Sequence, residues 1–176
     1  MYYDVIIDML DNKSKGAIMY IEKYWGNYIG GTDDSLTLLD YLIAKDQEEF
    51  ELSEIFSDLG LDELDWNFRT SGEHEFTDAE GLEYAFSYAI DLVTDIAALV
   101  LECSVNGSVS LEELSGDDEG NVIKILLSDD EKSALNDALL DFIENPLEYD
   151  LHEMMDDEEM KEMAEEVEAL RADLFD

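Results

Sequence analysis

Apolar residues recur at helical spacing along most of this chain, and capping patterns mark where several of those stretches begin. Ala17-Ile18-Met19-Tyr20-Ile21 continues through Tyr24 and Trp25 to Gly30-Gly31, a pair that stops a helix. Thr32-Asp33-Asp34-Ser35 opens a second helix, with Leu36, Leu39, Leu42 and Ile43 along one side. A third stretch holds Phe50, Leu52, Ile55, Phe56 and Leu59. Thr77-Asp78-Ala79-Glu80 reads as a capping box, so the longest helix is predicted to start there and run through Leu82, Phe86, Ile90, Val93, Ala97 and Val100. Ser128-Asp129-Asp130-Glu131 is a second box, and its helix carries Leu135, Leu139, Phe142 and Ile143 until Asn145-Pro146 halts it. A last helix is predicted from about His152 to Phe175.

Between residues 104 and 128 the period changes. Ser108-Val109-Ser110-Leu111 and Val122-Ile123-Lys124-Ile125-Leu126-Leu127 read as strands, joined by the turn-rich Ser115-Gly116-Asp117-Asp118-Glu119-Gly120. The predicted class is α+β, predominantly α-helical, with one β-hairpin around residues 108–127. No internal repeat or low-complexity linker divides the chain, so residues 1–176 are expected to form a single domain.

Charge changes this picture most. The chain has 48 acidic and 9 basic side chains and a net charge of −39. Solubility of a small domain needs a magnitude of only about 2–8, and the excess repels itself within a compact fold. The acids are unevenly placed. Residues 1–45 are near neutral (net −3), residues 46–104 carry net −16 with Arg69 as their one base, and residues 105–176 carry net −20. Nine Tyr, seven Phe and two Trp within 46% hydrophobic content supply a core that disordered acidic tails lack. Nucleic acid and anionic membrane are disfavoured as direct partners because both would be repelled. No apolar run reaches the roughly 18 residues of a membrane span. The longest, Ile90 to Leu101, is interrupted by Asp91 and Asp95. Cys103 is the lone cysteine, which excludes an internal disulfide and fits a reducing cytoplasm.

The acids most suited to contact a partner lie in the last third of the chain. They are Asp129, Asp130, Glu131, Asp137, Asp141, Glu144, Glu148, Asp150, Glu153, Asp156, Asp157, Glu158, Glu159, Glu162, Glu165, Glu166 and Glu168. The final helix, counted to Asp173 and Asp176, offers one carboxylate per roughly 3.3 Å of axis at 1.5 Å rise per residue, close to the phosphate spacing of a nucleic-acid strand, about 3.4 Å. Acids at 46–65 form a second candidate patch. Met160, Met163, Val167, Leu170 and Leu174 recur at 3,4,3,4 spacing, a seam for docking the helix on its own domain or on a second copy in a homodimer.

Other chemistry is sparse. Glu102, Ser104, Asn106, Ser108, Ser110 and Glu113, with Gly107 between them, partly match a calcium-binding loop, but its first ligand would be Glu in place of the usual Asp. The alternative for the same residues is a helix end and an Asn-Gly turn. His74 and His152 lack the neighbours of a zinc site and read as surface histidines, while Cys103 reads as a small core residue. No catalytic pair stands out among so many carboxylates, so a binding protein without cofactor or resident metal is expected.

Composition, size and acidic helical faces together resemble the DNA-mimic inhibitors of phages and mobile elements that block restriction or CRISPR nucleases. The resemblance rests on no motif and transfers no residue. It implies a nucleic-acid-mimicking inhibitor that occupies the basic groove of a nucleic-acid-binding enzyme. An immunity or antitoxin protein that neutralises a basic nuclease toxin shares the same physics, with a local plug in place of an extended acidic track. Adaptation to high salt is the third account, and predicts acids spread evenly over the chain.

Overall fold

The computed structural model describes residues 19–70, 74–77, 81, 83–116 and 121–176. Its six α-helices are α1 (Asp33–Lys45), α2 (Leu52–Leu59), α3 (Ala89–Asn106), α4 (Leu111–Ser115), α5 (Asp129–Glu144) and α6 (Asp157–Phe175). The strands are β1 (Trp25–Asn27), β2 (Ile29–Gly30), β3 (Glu49–Glu51), β4 (His74–Thr77), β5 (Glu83–Phe86), β6 (Val109–Ser110) and β7 (Val122–Leu126). Short 3₁₀ turns fill Tyr20–Lys23, Leu61–Leu64, Pro146–Glu148 and Asp150–Glu153. The fold is α+β and mainly helical, as the sequence pattern indicates.

Helix α3 is the axis of the molecule. Every residue from Ala89 to Glu102 is buried, the signature of a helix enclosed on all sides. Around it pack α1, α6, the Tyr20–Lys23 turn, and strands β2 and β7. Gly107 ends it with φ +86° and returns its N–H to the Cys103 carbonyl, a left-handed stop that a Cβ would strain. Helices α5 and α6 form an antiparallel pair, joined through the 3₁₀ turns, and α6 lies between α5 and α3.

The predicted helix opening at Thr32 and the predicted capping box at Ser128 locate α1 and α5 well. Thr32 accepts from the Ser35 N–H and Ser128 from the Glu131 N–H, each with the reciprocal bond in place. At α6, Asp156 caps the Glu159 N–H at 2.8 Å, so this helix starts four or five residues later than its apolar pattern suggests.

Four expectations are corrected. The region 17–25 is not an α-helix where described: Tyr20–Lys23 is a 3₁₀ turn followed by β1, and Ala17 and Ile18 lie outside the described residues. The helix predicted around Phe50 begins only at Leu52, because Glu49-Phe50-Glu51 alternates exposed, buried, exposed as β3. The longest helix begins at Ala89, not Thr77. Thr77 closes β4, which pairs antiparallel with β5, while Asp78, Ala79, Glu80 and Leu82 lie outside the described residues. The 108–127 hairpin is an antiparallel pairing of β6 with β7, but its connection contains helix α4, capped by Ser110 at the Glu113 N–H. Residues 117–120 of the expected turn lie outside the described residues.

Strand β7 also pairs in parallel with β3, Phe50 opposite Ile125, giving the order β3-β7-β6. Phe50, Val109, Ile123 and Ile125 face the core, and Val122, Lys124 and Leu126 face outward.

Candidate functional site

The acids divide into two populations with different physics. Asp34, Asp91, Asp95 and Glu102 are buried, although carboxylates are almost never found there unless paired. Three of them serve as acceptors for backbone N–H groups that the fold would otherwise strand. Asp34 accepts from Ser87 N (2.9 Å) and Tyr88 N (3.0 Å), capping α3 from a neighbouring helix where Tyr88 provides no side-chain cap. Asp95 accepts from Gly30 N (2.7 Å) and Ser35 Oγ (2.6 Å), fixing β2 and the start of α1. Gly30 is also the point where Trp25 packs on the backbone: a Cβ there would lie 2.1 Å from the indole ring. Glu102 accepts from Ile21 N at 2.8 Å and from the Asn106 amide.

Asp91 sits among these acids at the start of α3. Burial, with Asp95 and Asp34 close by, pushes its carboxyl up to about 8. Burial also raises Asp95 to about 7, against the opposing pull of Ser35 and Gly30. The structure gives the residues of the calcium-loop expectation another setting. Glu102, Ser104 and Asn106 lie in the last turns of α3, where a calcium-binding loop would need them in the loop itself, and Glu102 accepts from Ile21 and Asn106.

The second population is at the surface, and the few bases are used to fasten part of it. Arg69 makes a two-pronged pair with Asp141, Nε to Oδ2 at 2.8 Å and Nη2 to Oδ1 at 2.6 Å, and reaches Glu148 at 3.2 Å. Tyr149 donates its hydroxyl to the same Asp141 at 2.6 Å, and Arg69 O accepts from Asp150 N. The Arg69 guanidinium holds the Asp141 carboxyl down at about 2. The base that stands alone in residues 46–104 is thus a clamp between the Leu61–Leu64 segment, α5 and the following turns.

Helix α6 does not present its acids as one ridge. Met160, Met163, Val167 and Leu170 are buried, and Leu174 packs against the same core. The seam is therefore used within the chain, against α5 and α3, and is not left open for a second copy. On one flank, Glu162 accepts from the Tyr28 hydroxyl (2.9 Å), Glu166 from Asn27 (3.4 Å), and Asp173 from Tyr20 (2.6 Å) and Tyr24 (2.7 Å). Lys23 joins Asp173 at 3.3 Å. The bond to Glu162 pushes the Tyr28 hydroxyl up to about 12. On the opposite flank, Arg171 ties Glu168 (2.8 Å), Asp176 and Asn136 of α5. The aromatic group Tyr20, Tyr24 and Tyr28 is thereby explained as packing that also fastens α6.

Of the acids expected to meet a partner, Glu131, Asp141, Asp150, Glu166 and Glu168 are half-buried and the others exposed. Asp156 caps α6, and Asp157 pairs with His152 at 2.6 Å. Asp129, Asp130, Asp137, Glu144, Glu153, Glu158, Glu159 and Glu165 have no side-chain hydrogen bond or ion pair among the described residues. They mark the outward surfaces of α5 and α6 and the connection between them. Sequence reasoning missed the roles of Asp34 and Glu102. The visible signal was there for Asp91 and Asp95, acids inside an otherwise apolar helix.

Among the described residues no cluster of His, Cys, Asp and Glu is arranged to hold a metal ion, and no helix is long and apolar enough to cross a membrane. No curated protein and no solved structure shows significant similarity to the chain. A family model described as immunity protein 68 matches residues 20–174. That span takes in every element from the Tyr20–Lys23 turn to α6, including the buried acceptors and the Arg69 clamp, and the chain belongs to the immunity protein 68 family.

Proposed function

We propose that this protein neutralises a toxin by binding to it, and that the toxin presents a cationic surface, as nucleases and other nucleic-acid-handling proteins do. Membership of an immunity family supports inhibition by complex formation without catalysis. The observation that carries the cationic partner is the net charge of −39 together with exposed acids on α5 and α6 that pair with no base among the described residues. Such a surface accelerates encounter with a positive partner and disfavours wrong ones. The partner-facing surface runs from Asp129 and Asp130 along α5 through Glu144 and Glu153 to Glu158, Glu159 and Glu165. The complex forms in the cytoplasm, where the toxin would do its damage.

Imitation of nucleic acid is the reading this geometry favours less. After the acids already bonded to His152, Tyr28, Asn27, Tyr20, Tyr24 and Arg171 are discounted, Glu158, Glu159 and Glu165 remain on α6, with a gap of about 9 Å along the axis between Glu159 and Glu165, wider than the roughly 3.4 Å of a strand's phosphates. Ala169 and Ala172 then end the row. A local acidic plug describes this surface better than an extended track.

The test is recovery of the partner with the tagged protein from its native cells, followed by co-expression of the two. A stoichiometric partner with a basic surface, whose toxicity this protein abolishes, is the expected result. A partner that is acidic, or whose toxicity is undiminished by a stable complex, would overturn the proposal.

A further inference from the structure

We infer that the groove between the Leu61–Asn67 segment and α5 receives an arginine side chain of the toxin, an inference that rests on the cationic partner proposed above. The groove encloses about 490 Å³, with Trp66 on one wall and Ala134, Asp137 and Ala138 of α5 on the other. Ala134 and Ala138 leave the space, and Trp66 supplies a half-buried aromatic face.

That face is held rigidly. The indole packs on Phe56 (centroids 4.8 Å apart) and on Phe68 (6.0 Å, interplanar angle 70°). Asp65 and Trp66 both have left-handed backbone, φ 51° and 62°, which side chains other than Gly, Asn and Asp seldom adopt. Surrounding structure must hold such a turn in place, and strain of this kind concentrates at binding sites.

Charge selects the occupant. Arg69 lines the groove, but its guanidinium is committed to Asp141 and Glu148. Asp137 is exposed and has no hydrogen bond or ion pair among the described residues, and Asp62 and Asp65, close to Trp66 in sequence, are also exposed. Lys132, the base nearest in sequence on α5, lies roughly 140° around the helix from Asp137 at 100° per residue. A guanidinium can lie flat on the indole while its N–H groups reach the Asp137 carboxylate. Its apolar stem fills the alanine-lined space. An ammonium lacks the planar fork, so lysine fits less well. Tryptophan and arginine are also the residues that most often dominate interface energies.

The test uses the full chain, labelled with ¹⁵N, titrated with nona-arginine and separately with nona-lysine. The readouts are the Trp66 indole N–H signal and the backbone amides. In the expected result the Trp66 signal moves and saturates, nona-arginine binding there more tightly than nona-lysine. Ala134→Leu, which fills the groove without changing charge, weakens that saturation by about fivefold, and Asp137→Asn by about threefold. Replacing Glu22 by Gln and Asp40 by Asn, exposed acids outside both the groove and the proposed partner surface, leaves it unchanged. If Ala134→Leu perturbs the fold, the surface change Asp137→Asn decides the matter. A stationary Trp66 signal with moving α6 amides would overturn the groove and leave the acidic interface standing. No movement anywhere at low salt would overturn both.

Discussion

Replacing Asp91 by Asn should flatten the pH dependence of stability. Asp91 is 3% exposed and shares the start of α3 with Asp34 and Asp95, both of which spend their oxygens on N–H and O–H donors. Burial raises its folded value to about 8 from an ordinary 3.8, so the folded chain holds a proton that the unfolded chain releases. The native state then binds more protons between those limits, and stability falls as pH rises. A full proton is worth about 1.4 kcal/mol per pH unit. From pH 5 to pH 7 the wild type therefore loses up to about 3 kcal/mol at this one site. The asparagine amide has no proton to lose and preserves a donor toward Asp34. The variant should match or trail the wild type at pH 5 and gain on it at pH 7, by about 6–12 °C in melting temperature for a chain of this size. Urea denaturation and thermal melts at half-unit steps from pH 5 to 8 measure the difference curve directly. Parallel curves for the two proteins would refute the assignment of a shared proton to this site.

Three other perturbations probe separate parts of the account. Asp141 is held low by Arg69, so its contribution is present above about pH 4 and disappears as pH falls through about 2; Arg69→Met should remove that acid limb in melts between pH 4 and 2. Glu102→Ala strands the Ile21 N–H in the core and should cost about 1–3 kcal/mol in urea denaturation, whereas Glu102→Gln, keeping an acceptor oxygen, should cost less. Leu170→Ala opens a cavity in the α6 seam and should cost about 2–5 kcal/mol. It should leave the sedimentation behaviour unchanged, because the seam is closed within one chain.

The elements that the sequence revealed are those specified locally. Thr32 and Ser128 sit beside their own reciprocal partners, so α1 and α5 could be placed to within a residue. The last helix was legible for the same reason, apart from its start, where Asp156 and not the apolar period sets the boundary. Of the short strands, Val109–Ser110 and Val122–Leu126 were legible from their pattern, whereas Glu49–Glu51, His74–Thr77 and Glu83–Phe86 were not. Glu49-Phe50-Glu51 and Glu83-Tyr84-Ala85-Phe86 alternate over only three or four residues, and it is pairing with distant chain, β3 with β7, that decides their conformation. Acid density suggested an immunity protein only as the second account, behind nucleic-acid mimicry, and it is this second account that the family match supports. Which acids of α6 are already bonded to Tyr20, Tyr24, Tyr28 and Arg171 depends on contacts some 140 residues apart or on local rotamers, and no spacing rule reveals them. The Trp66 groove escaped notice because its two walls come from segments that the sequence separates.

The claim on which the functional account turns is that unneutralised surface acids bind a cationic toxin. The direct measurement is calorimetric titration of the recovered toxin at rising salt, with the wild type and with a variant in which Asp137, Glu144, Glu158, Glu159 and Glu165 are amides. The expected result is affinity that falls steeply with salt for the wild type. The variant should be weakened by about tenfold or more at low salt, with a flatter salt dependence. Equal affinities for the two proteins at every salt concentration would contradict it.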